Sequence, residues 1–412
     1  MNSNKVLFLF TKFYPYGSSE QYIKNEIKYL SENFYRVVLV PCEYFSGDMQ
    51  MRSIPHNFEV LDLNKEVKKF RAKKDYFLLM KIFCLEFIKS RNKFWVLKLF
   101  RRHLGILSYQ IKSSEVFCEI LKKNYSNSVN YFYTYWMHNS SVMLGILKKR
   151  NFIHDFVCRG HAIDMYEFAW KSSRKVNPMP FYNFIFSQAS KIISISEHGA
   201  KYLCERFRSD QNKVFTSRLG VEAIGINPFL NSDIFRIVSC SSINSRKNVD
   251  LVAQLVKSLN GKVDWVHFGW GEENEIYKIK KVLKDFPSTH SYQLKGNVPN
   301  EVILDFYKTE QINLFVNLSD AEGIPVSMME AISFGIPVLG TRVYGTPEIA
   351  CDETGFCFDF PLDLRKMSLL IETYKNDLNK QRLLRQSSYD FYLKNYSAKK
   401  NYLYFINNYL LN

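Results

Sequence analysis

Short, uninterrupted apolar runs recur along the whole chain, and they constrain its fold more than any other feature of the sequence. Each run is followed by a turn signal and then by a stretch with helical periodicity. Continuous runs of this kind are typical of strands that are covered on both faces, as in parallel sheets. Their alternation with helices predicts two doubly wound α/β units. The predicted strands are residues 6–10, 37–40, 131–135, 156–158, 192–195, 237–240, 263–268, 312–318 and 336–339.

The sequence also predicts where the two units divide. Gly, Asn and Pro residues cluster between Gly220 and Asp233, which is typical of a connection between domains. A chain of 412 residues, 46% of them hydrophobic, is long enough to bury two cores. The predicted organisation is a first Rossmann-like domain over residues 1–222, a linker over 223–233 and a second Rossmann-like domain over 234–390.

The last residues, 391–412, are predicted to form a C-terminal helix. Tyr402, Phe405, Ile406 and Tyr409 recur there at helical spacing. We expect this helix to pack back towards the N-terminal domain.

Positive charge is concentrated in one part of the chain. The sequence holds 56 Lys and Arg against 40 Asp and Glu, a formal net charge of +16. Residues 66–123 hold fifteen of the basic and five of the acidic residues, interleaved with large apolar side chains. This pattern predicts basic amphipathic helices for an anionic bilayer surface. The alternative is a helix pair that packs on the first sheet and keeps a solvated basic face.

Several properties bear on the compartment. The longest membrane-like stretch, residues 76–88, contains Lys81 and Glu86 and is too short to cross about 30 Å of hydrocarbon. The apolar run at 6–10 is shorter than the apolar part of a secretory signal. The eight cysteines are scattered without a Cys-x-x-Cys pair, which favours reduced thiols over disulfides or a zinc site. We therefore expect a cytoplasmic protein, peripheral at the inner face of the cytoplasmic membrane.

The segment 312–349 carries the most chemical information. It predicts a strand, a loop with Gly323 and Pro325, a helix over 325–334 and a second strand. A helix N-terminus at the carboxyl end of a strand presents unpaired N–H groups and a positive dipole end, which suit phosphate. Glu322 lies in the loop. Glu330 lies nearly two turns into the helix, where a carboxylate can accept hydrogen bonds from vicinal hydroxyls such as a ribose diol.

The same segment resembles glycosyltransferase family four, in its retaining, bacterial cell-surface polysaccharide type. The match is carried by S-D-A-E-G-I-P-V-S-M-M-E-A-I-S-F-G-I-P-V at 319–338, with seven residues between the two glutamates, and by G-T-P-E-I at 345–349. The resemblance implies a GT-B fold, with two Rossmann-like doubly wound domains facing a central cleft. It implies an acceptor-binding N-terminal domain and a nucleotide-sugar-binding C-terminal domain.

The function implied by this resemblance is transfer of a hexose from a UDP- or GDP-linked sugar, with retention of configuration. The implied acceptor is a growing surface polysaccharide, an oligosaccharide or a polyprenyl-pyrophosphate-linked oligosaccharide. No catalytic cofactor or metal is expected, since the chain has no Asp-x-Asp pair.

The resemblance also implies roles for residues of the second domain. Glu322 would orient the donor sugar and Glu330 the ribose, while Lys247 would hold the donor diphosphate. The family's diphosphate-binding Arg is Ser242 in this chain, which makes Arg246 a candidate substitute. The loop expected beneath the nucleobase holds Gly269 and Gly271. The backbone expected at the phosphates is that of Gly323, Ile324, Pro325, Val326 and Ser327.

Two segments of the first domain match the family as well. Gly17, between the first strand and a helix, matches the family's N-terminal glycine loop, whose backbone approaches the donor. Residues 159–164 match its R-x-H-x-x-D segment, so His161 is expected near the donor sugar and the reacting centre. The alternative for His161 is a hydrogen-bonded structural residue. Arg159 and Asp164 would contact the acceptor or support the site structurally.

Other functions remain as alternatives. A GT-B sugar-nucleotide epimerase or a phosphorylase-like enzyme would share the two-domain architecture, although no pyridoxal-binding lysine motif is evident. The basic charge also suggests a nucleic-acid-binding protein. No helix-turn-helix, zinc finger or aromatic RNA-binding signature supports that function, and we expect no nucleic-acid partner.

Overall fold

The computed structural model describes residues 4–17, 19–44, 50–70, 75–90, 93–166, 181–230 and 232–412, apart from the side chain of Trp95. The chain divides into two compact units. Unit 1 comprises Met1–Ser217 with Tyr402–Asn412, and unit 2 comprises Arg218–Asn401. The division falls after Ser217 instead of residue 222, and the chain returns to unit 1 at Tyr402 instead of residue 391.

Unit 1 is built on a seven-stranded sheet in which all registered pairs are parallel, in the order β3-β2-β1-β4-β5-β6-β7. The central strand β1 is buried at six of its seven positions, as expected for a strand covered on both faces. The strands are β1 (Lys5–Thr11), β2 (Arg36–Pro41), β3 (Phe58–Val60), β4 (Val129–Thr134), β5 (Val157–Gly160), β6 (Lys191–Ser194) and β7 (Val214–Thr216).

Nine helices of unit 1 are described. Several begin at a capping residue that the local sequence provides: Asp62, Asp75 and Ser196 each accept a hydrogen bond from an N–H of the first turn. The helices are α1 (Lys24–Asn33), α2 (Leu63–Lys69), α3 (Tyr76–Lys89), α4 (Lys93–Lys98), α5 (Phe100–Asn124), α6 (Asn139–Lys149), α7 (Ala162–Met165), α8 (Tyr182–Gln188) and α9 (Glu197–Arg206).

Unit 2 has a six-stranded parallel sheet in the order β10-β9-β8-β11-β12-β13. Trp265 is fully buried in its core. The strands are β8 (Ile234–Cys240), β9 (Lys262–Phe268), β10 (His290–Leu294), β11 (Leu314–Asn317), β12 (Val338–Thr341) and β13 (Gly355–Phe358). The helices are α10 (Val249–Lys257), α11 (Glu273–Leu283), α12 (Asn300–Thr309), α13 (Val326–Ser333), α14 (Leu364–Lys375) and α15 (Leu378–Asn395).

The last helix, α16 (Ala398–Phe405), continues into a π-helical turn over Ile406–Leu410. Tyr402 and Phe405 are buried, whereas Tyr404 is exposed, and residues 402–412 belong to unit 1. Lys191 at the start of β6 donates from Nζ to the carbonyl of Asn412 at 2.6 Å. The chain therefore ends on the sheet of unit 1.

The two parallel-sheet α/β units confirm the predicted fold class, and all nine predicted strands are present. Four strands were not predicted: β3, β7, β10 and β13. These are the outermost strands of the two sheets. An edge strand has one neighbour and is covered less, so its sequence lacks a continuous apolar run; β10, for example, has no fully buried residue.

The basic stretch 66–123 folds into the end of α2 and helices α3 to α5, except for residues 71–74 and 91–92, which lie outside the described residues. On α3, Leu78, Ile82 and Phe83 are buried, whereas Phe77 and Ile88 are 80% and 70% exposed. Within the described residues, no helix is long and apolar enough to cross a membrane. All eight cysteines are free thiols.

Candidate active site

Unit 2 carries its candidate residues on loops at the carboxyl ends of its strands, where open α/β sheets bind ligands. The loop after β8 holds Arg246, and the loop after β11 holds Glu322. The Asp320 N–H donates to the Arg246 carbonyl at 2.9 Å, and the Asn248 side-chain amide donates to the Leu318 carbonyl at 2.9 Å. These contacts join the two predicted donor-binding loops into one surface.

Lys247 and Glu322 form an ion pair between Lys247 Nζ and Glu322 Oε1. Their side chains are only 16% and 14% exposed, which strengthens the attraction relative to bulk water. Burial alone would raise the pKa of Glu322, but the Lys247 ammonium and the Ser319 hydroxyl more than offset it, so this pKa is lowered. Glu322 is therefore ionised at neutral pH, and it is paired with the lysine that the family resemblance predicts to bind a diphosphate.

Arg246 lies beside this pair. Burial lowers its pKa, an effect that the charges of Glu322 and Asp320 oppose. Burial also raises the pKa of Asp320, against the charges of Arg246 and Lys247. Two cations and two carboxylates are thus close enough to perturb one another. Ser242, which stands at the family's Arg position, is exposed on the same loop.

The helix α13 begins one residue later than predicted, since Pro325 is its N-cap and the helix covers Val326–Ser333. The N–H of Ser327 therefore lies in the first turn, where helical N–H groups lack intrahelical acceptors. Glu330, in the second turn, accepts a hydrogen bond from Asn300 Nδ2 at 2.9 Å. Burial raises the pKa of Glu330 to about 7, and the bond from Asn300 opposes that rise.

Two glycines of unit 2 mark close approaches between loops. Gly269 has φ +127°, and a Cβ there would lie 1.9 Å from the carbonyl oxygen of Ser241. A Cβ on Gly345 would lie 1.6 Å from the carbonyl oxygen of Gly323. Gly271 forms a bridge to the loop after β8. The loop after β9 thus packs against the loop after β8, and the loop after β12 packs against the loop after β11. At these contacts the backbones are too close for any side chain at the glycine.

In unit 1, the loop after β1 is organised around the carboxylate of Glu20. The three N–H groups of residues 12–14 donate to it at 3.1, 2.7 and 2.7 Å, and Trp136 Nε1 donates at 2.6 Å. Gly17 in this loop has φ +66°, and its N–H donates to the Gln50 carbonyl at 3.1 Å. The role of Glu20 and Trp136 in this loop could not be predicted from the sequence, because their contact joins residues 116 positions apart.

His161 is buried, and both of its ring nitrogens contact the backbone of the chain. Nε2 lies 3.0 Å from the Tyr135 carbonyl, which can only accept, so Nε2 carries the proton. The Asp164 N–H donates to the His161 side chain in a capping box at the start of α7. Burial, and then the charge of Arg159, hold the pKa of His161 well below its usual range. The imidazole is therefore neutral, and these contacts favour the structural alternative.

Arg159 and Asp164 are fully buried. Arg159 pairs with Glu26 through Nη1, and its guanidinium carbon lies 4.0 Å from the centroid of the Phe405 ring. The Asp164 carboxylate accepts the Met137 N–H at 2.7 Å, and burial raises its pKa to about 6. Because neither side chain is exposed, these contacts favour the alternative of structural support. Arg159 joins β5 to α1 and the C-terminal helix, and Asp164 joins the start of α7 to the loop after β4.

Comparisons with known proteins agree with this architecture. Residues 226–391 match the family described as Glycosyl transferases group 1. The chain is 26% identical over 147 residues to the amylovoran biosynthesis glycosyltransferase AmsK of Erwinia amylovora, covering 33% of this chain and 36% of AmsK. It is 24% identical over 209 residues to the putative colanic acid biosynthesis glycosyltransferase WcaL of Escherichia coli K12, covering 48% of this chain and 49% of WcaL. The chain thus spans about a third to a half of the length of the curated relatives it matches.

One solved structure illustrates the likeness in fold. Anabaena Alr3699/HepE in complex with UDP and glucose is 12% identical in sequence and superposes with a TM-score of 0.63 over 98% of both chains. At this identity the likeness shows the fold alone, two parallel-sheet α/β Rossmann-like units.

Proposed function

We propose, from the group 1 glycosyl transferase domain that residues 226–391 form, that this chain transfers a hexose from a UDP- or GDP-linked sugar to a sugar hydroxyl, with retention of configuration. The names of AmsK and WcaL place those relatives in polysaccharide biosynthesis. We propose the same role here, with a growing surface polysaccharide or a lipid-linked oligosaccharide as the acceptor. The observation that carries the proposal is the joint placement of Lys247, Glu322 and the α13 N-terminus on one surface of unit 2.

The diphosphate is the part of the donor that most needs a cationic site. Lys247 and Arg246 supply two positive charges, and the N–H groups in the first turn of α13 supply hydrogen-bond donors. Glu322 holds Lys247 when no donor is bound. When a donor binds, its diphosphate oxygens replace Glu322 as the ion-pair partner of Lys247. The Glu322 carboxylate can then accept hydrogen bonds from the donor sugar.

Glu330 is proposed to bind the ribose. Its carboxylate lies in the second turn of α13 and is fixed by the amide of Asn300. An ionised carboxylate accepts two hydrogen bonds from a vicinal diol. Because burial raises the pKa of Glu330 to about 7, donor binding should weaken as the pH falls through 7.

The chemical step breaks the bond between the anomeric carbon and the diphosphate oxygen and forms a bond to the acceptor oxygen. The acceptor's proton leaves with the diphosphate. Negative charge develops on the leaving diphosphate as this bond breaks. Lys247 and Arg246 stabilise that charge and so lower the activation barrier. The resemblance also implies positions near the donor sugar for Gly17 and His161, and we keep these as proposals. Because both ring nitrogens of His161 are bonded to backbone, its part there would be the packing of a neutral ring, without a hydrogen bond to the sugar and without proton transfer.

The test is release of free nucleoside diphosphate from a panel of UDP- and GDP-linked sugars. We expect release with a subset of the panel, and loss of release in Lys247→Ala and Glu330→Ala. Lys257→Ala is the matched control, because Lys257 lies on α10 outside the site and pairs with Asp285 at the surface. Full activity in both site variants would contradict the assignment.

We also propose that helices α3 and α4 place unit 1 on an anionic membrane surface, at the inner face of the cytoplasmic membrane. Phe77, Ile88 and Phe94 are 80%, 70% and 67% exposed, and exposed lysines, including Lys81 and Lys89, lie between them. A merely solvated basic face would not expose so many large apolar side chains. Apolar insertion and attraction to anionic lipid would act together here.

Flotation with vesicles tests this surface. We expect the chain to float with vesicles rich in anionic phospholipid, and a Phe77→Ser/Ile88→Ser variant to remain at the bottom. Leu369→Ser/Leu383→Ser is the matched control, since these leucines are 69% and 73% exposed on unit 2. Equal flotation of both variants, or no flotation of the unmodified chain, would contradict the proposal.

A further inference from the structure

The Glu330 carboxylate is held by a side chain from a second helix. Asn300 is the first residue of α12, whereas Glu330 lies in the second turn of α13. Asn300 Nδ2 donates to Glu330 Oε1 at 2.9 Å, although 30 positions separate the two residues. The start of α12 and the second turn of α13 are therefore joined at the carboxylate that is proposed to bind the ribose.

Two further groups lie close to Glu330, and both are uncharged at neutral pH. Burial, with a smaller contribution from the charge of Glu330, raises the pKa of the Cys240 thiol at the end of β8 to about 12. Burial, followed by the charges of Cys240 and Glu330, raises the pKa of Tyr307 on α12 well above its usual range. In the described part of the chain, Asn300 is the group that lowers the pKa of Glu330, and no cation contributes to it.

The amide of Asn300 has two effects on this carboxylate. A hydrogen bond from a neutral N–H donor favours the charged form of its acceptor, and it also fixes the position of the oxygen that accepts it. An ionised carboxylate offers about four lone-pair sites on its two oxygens, and Asn300 occupies one of them. The remaining sites can accept hydrogen bonds from both hydroxyls of a vicinal diol. A protonated carboxyl group offers fewer acceptor sites, and its own O–H needs an acceptor.

We infer that Asn300 is a positioning residue that makes this site select ribonucleotides over deoxyribonucleotides, because its amide holds the Glu330 carboxylate charged and in place for the ribose diol. The inference rests on the proposed function, which assigns the ribose to Glu330. Asn300 acts through Glu330 and takes no part in the bond that breaks. A 2′-deoxyribonucleotide lacks one of the two hydroxyls that Glu330 would accept, so comparison with it isolates this contact.

The experiment compares the affinity of UDP with that of dUDP, and GDP with dGDP, by calorimetry on the full chain at pH 7 and pH 8.5. Both members of a pair share their phosphates and base, so the ratio of the two affinities cancels the titration of the nucleotide. We expect the unmodified chain to prefer the ribonucleotide roughly tenfold, as for a hydrogen bond to a charged group. In Asn300→Ala the preference should fall roughly threefold or more at pH 7, because less of Glu330 is ionised. It should return at pH 8.5, where Glu330 is mostly ionised in both proteins.

Two variants separate the hydrogen bond from the packing around it. Asn300→Ala keeps α12 helical, because Ala is the better helix former. Asn300→Leu fills a similar space without a hydrogen-bond donor, and it should lose the preference in the same way. Asn379→Ala, at an exposed asparagine in the first turn of α15, is the matched control and should keep the preference of the unmodified chain. Thermal unfolding of each variant distinguishes loss of the contact from loss of the fold.

Three outcomes overturn the inference while nucleotide binding itself stands. The Asn300 variants keep the preference of the unmodified chain at pH 7, or they lose it equally at pH 7 and pH 8.5, as loss of a merely structural contact would cause. The third is an unmodified chain that binds UDP or GDP without preferring the ribonucleotide. If neither UDP nor GDP binds to the unmodified chain, the proposed function fails and the inference fails with it.

Discussion

Replacing Glu330 with Gln should stabilise unit 2 above pH 7 while removing donor binding. Glu330 is half-buried, and its pKa is raised from an ordinary 4.5 to about 7. The unfolded chain therefore ionises this carboxyl first as the pH rises, while the folded chain keeps the proton. Between about pH 4.5 and pH 7 the folded state binds more protons, so its stability falls with rising pH.

The size of this effect follows from the shift. The pKa of Glu330 rises by about 2.5, which at about 1.4 kcal/mol for each tenfold change corresponds to an upper bound of about 3.5 kcal/mol. Partial solvent access of Glu330 reduces this, so we expect Glu330→Gln to gain about 1–2 kcal/mol at pH 8 and close to nothing at pH 4.5. The neutral amide still accepts the hydrogen bond from Asn300 through its oxygen, so local packing is kept.

Urea denaturation at pH 4.5, 6 and 8 measures the difference directly. Glu273→Gln, an exposed position on α11, is the control and should show no pH-dependent gain. Nucleotide binding by calorimetry, on the same proteins, should be lost in Glu330→Gln. If Glu330→Gln is no more stable than the unmodified chain at pH 8, or if its gain is independent of pH, then Glu330 titrates normally and the reasoning is refuted.

Four further substitutions probe other parts of the structure. Arg159→Ala should destabilise unit 1 by about 3–5 kcal/mol in urea, because it leaves the Glu26 charge buried and unpaired; a double Arg159→Met/Glu26→Leu variant should lose much less. Gly345→Ala should lower the thermal unfolding midpoint of unit 2, since its Cβ would overlap a carbonyl oxygen at 1.6 Å. Gly105→Ala on α5, where a Cβ meets nothing within 4 Å, should instead stabilise by about 0.5–1 kcal/mol. Glu322→Gln should bind the nucleoside diphosphate more tightly in calorimetry, because no carboxylate competes for the lysine, yet lose sugar transfer. Unchanged values in any of these would contradict the corresponding contact.

The central strands could be predicted from the sequence because burial on both faces demands continuous apolar runs. β1, with six of seven positions buried, is the clearest instance. The edge strands β3, β7, β10 and β13 could not be predicted in this way. These strands form because they pair with a neighbouring strand of the sheet. Because they lie at the sheet edges and are covered less, their sequences need no continuous apolar run.

The candidate site divides along the same line. The Glu322–Glu330 segment was predictable because its loop, helix and spacing are all local. Two other contacts join segments that are distant in sequence: Asn300 with Glu330 and Trp136 with Glu20. No local sequence pattern predicts such contacts. The prediction that His161 follows a strand is correct, since β5 ends at Gly160. The hydrogen bonds that occupy its two ring nitrogens could not be predicted, because they depend on how the folded chain packs.

The most direct test of the proposed glycosyl transfer is NMR of the products formed from a sugar nucleotide and a pyranoside acceptor. We expect a new glycosidic bond with the anomeric configuration of the donor, formed together with an equal amount of free nucleoside diphosphate. A product of inverted configuration would contradict retention, and an epimerised sugar nucleotide or free sugar without a glycoside would contradict the transferase function itself.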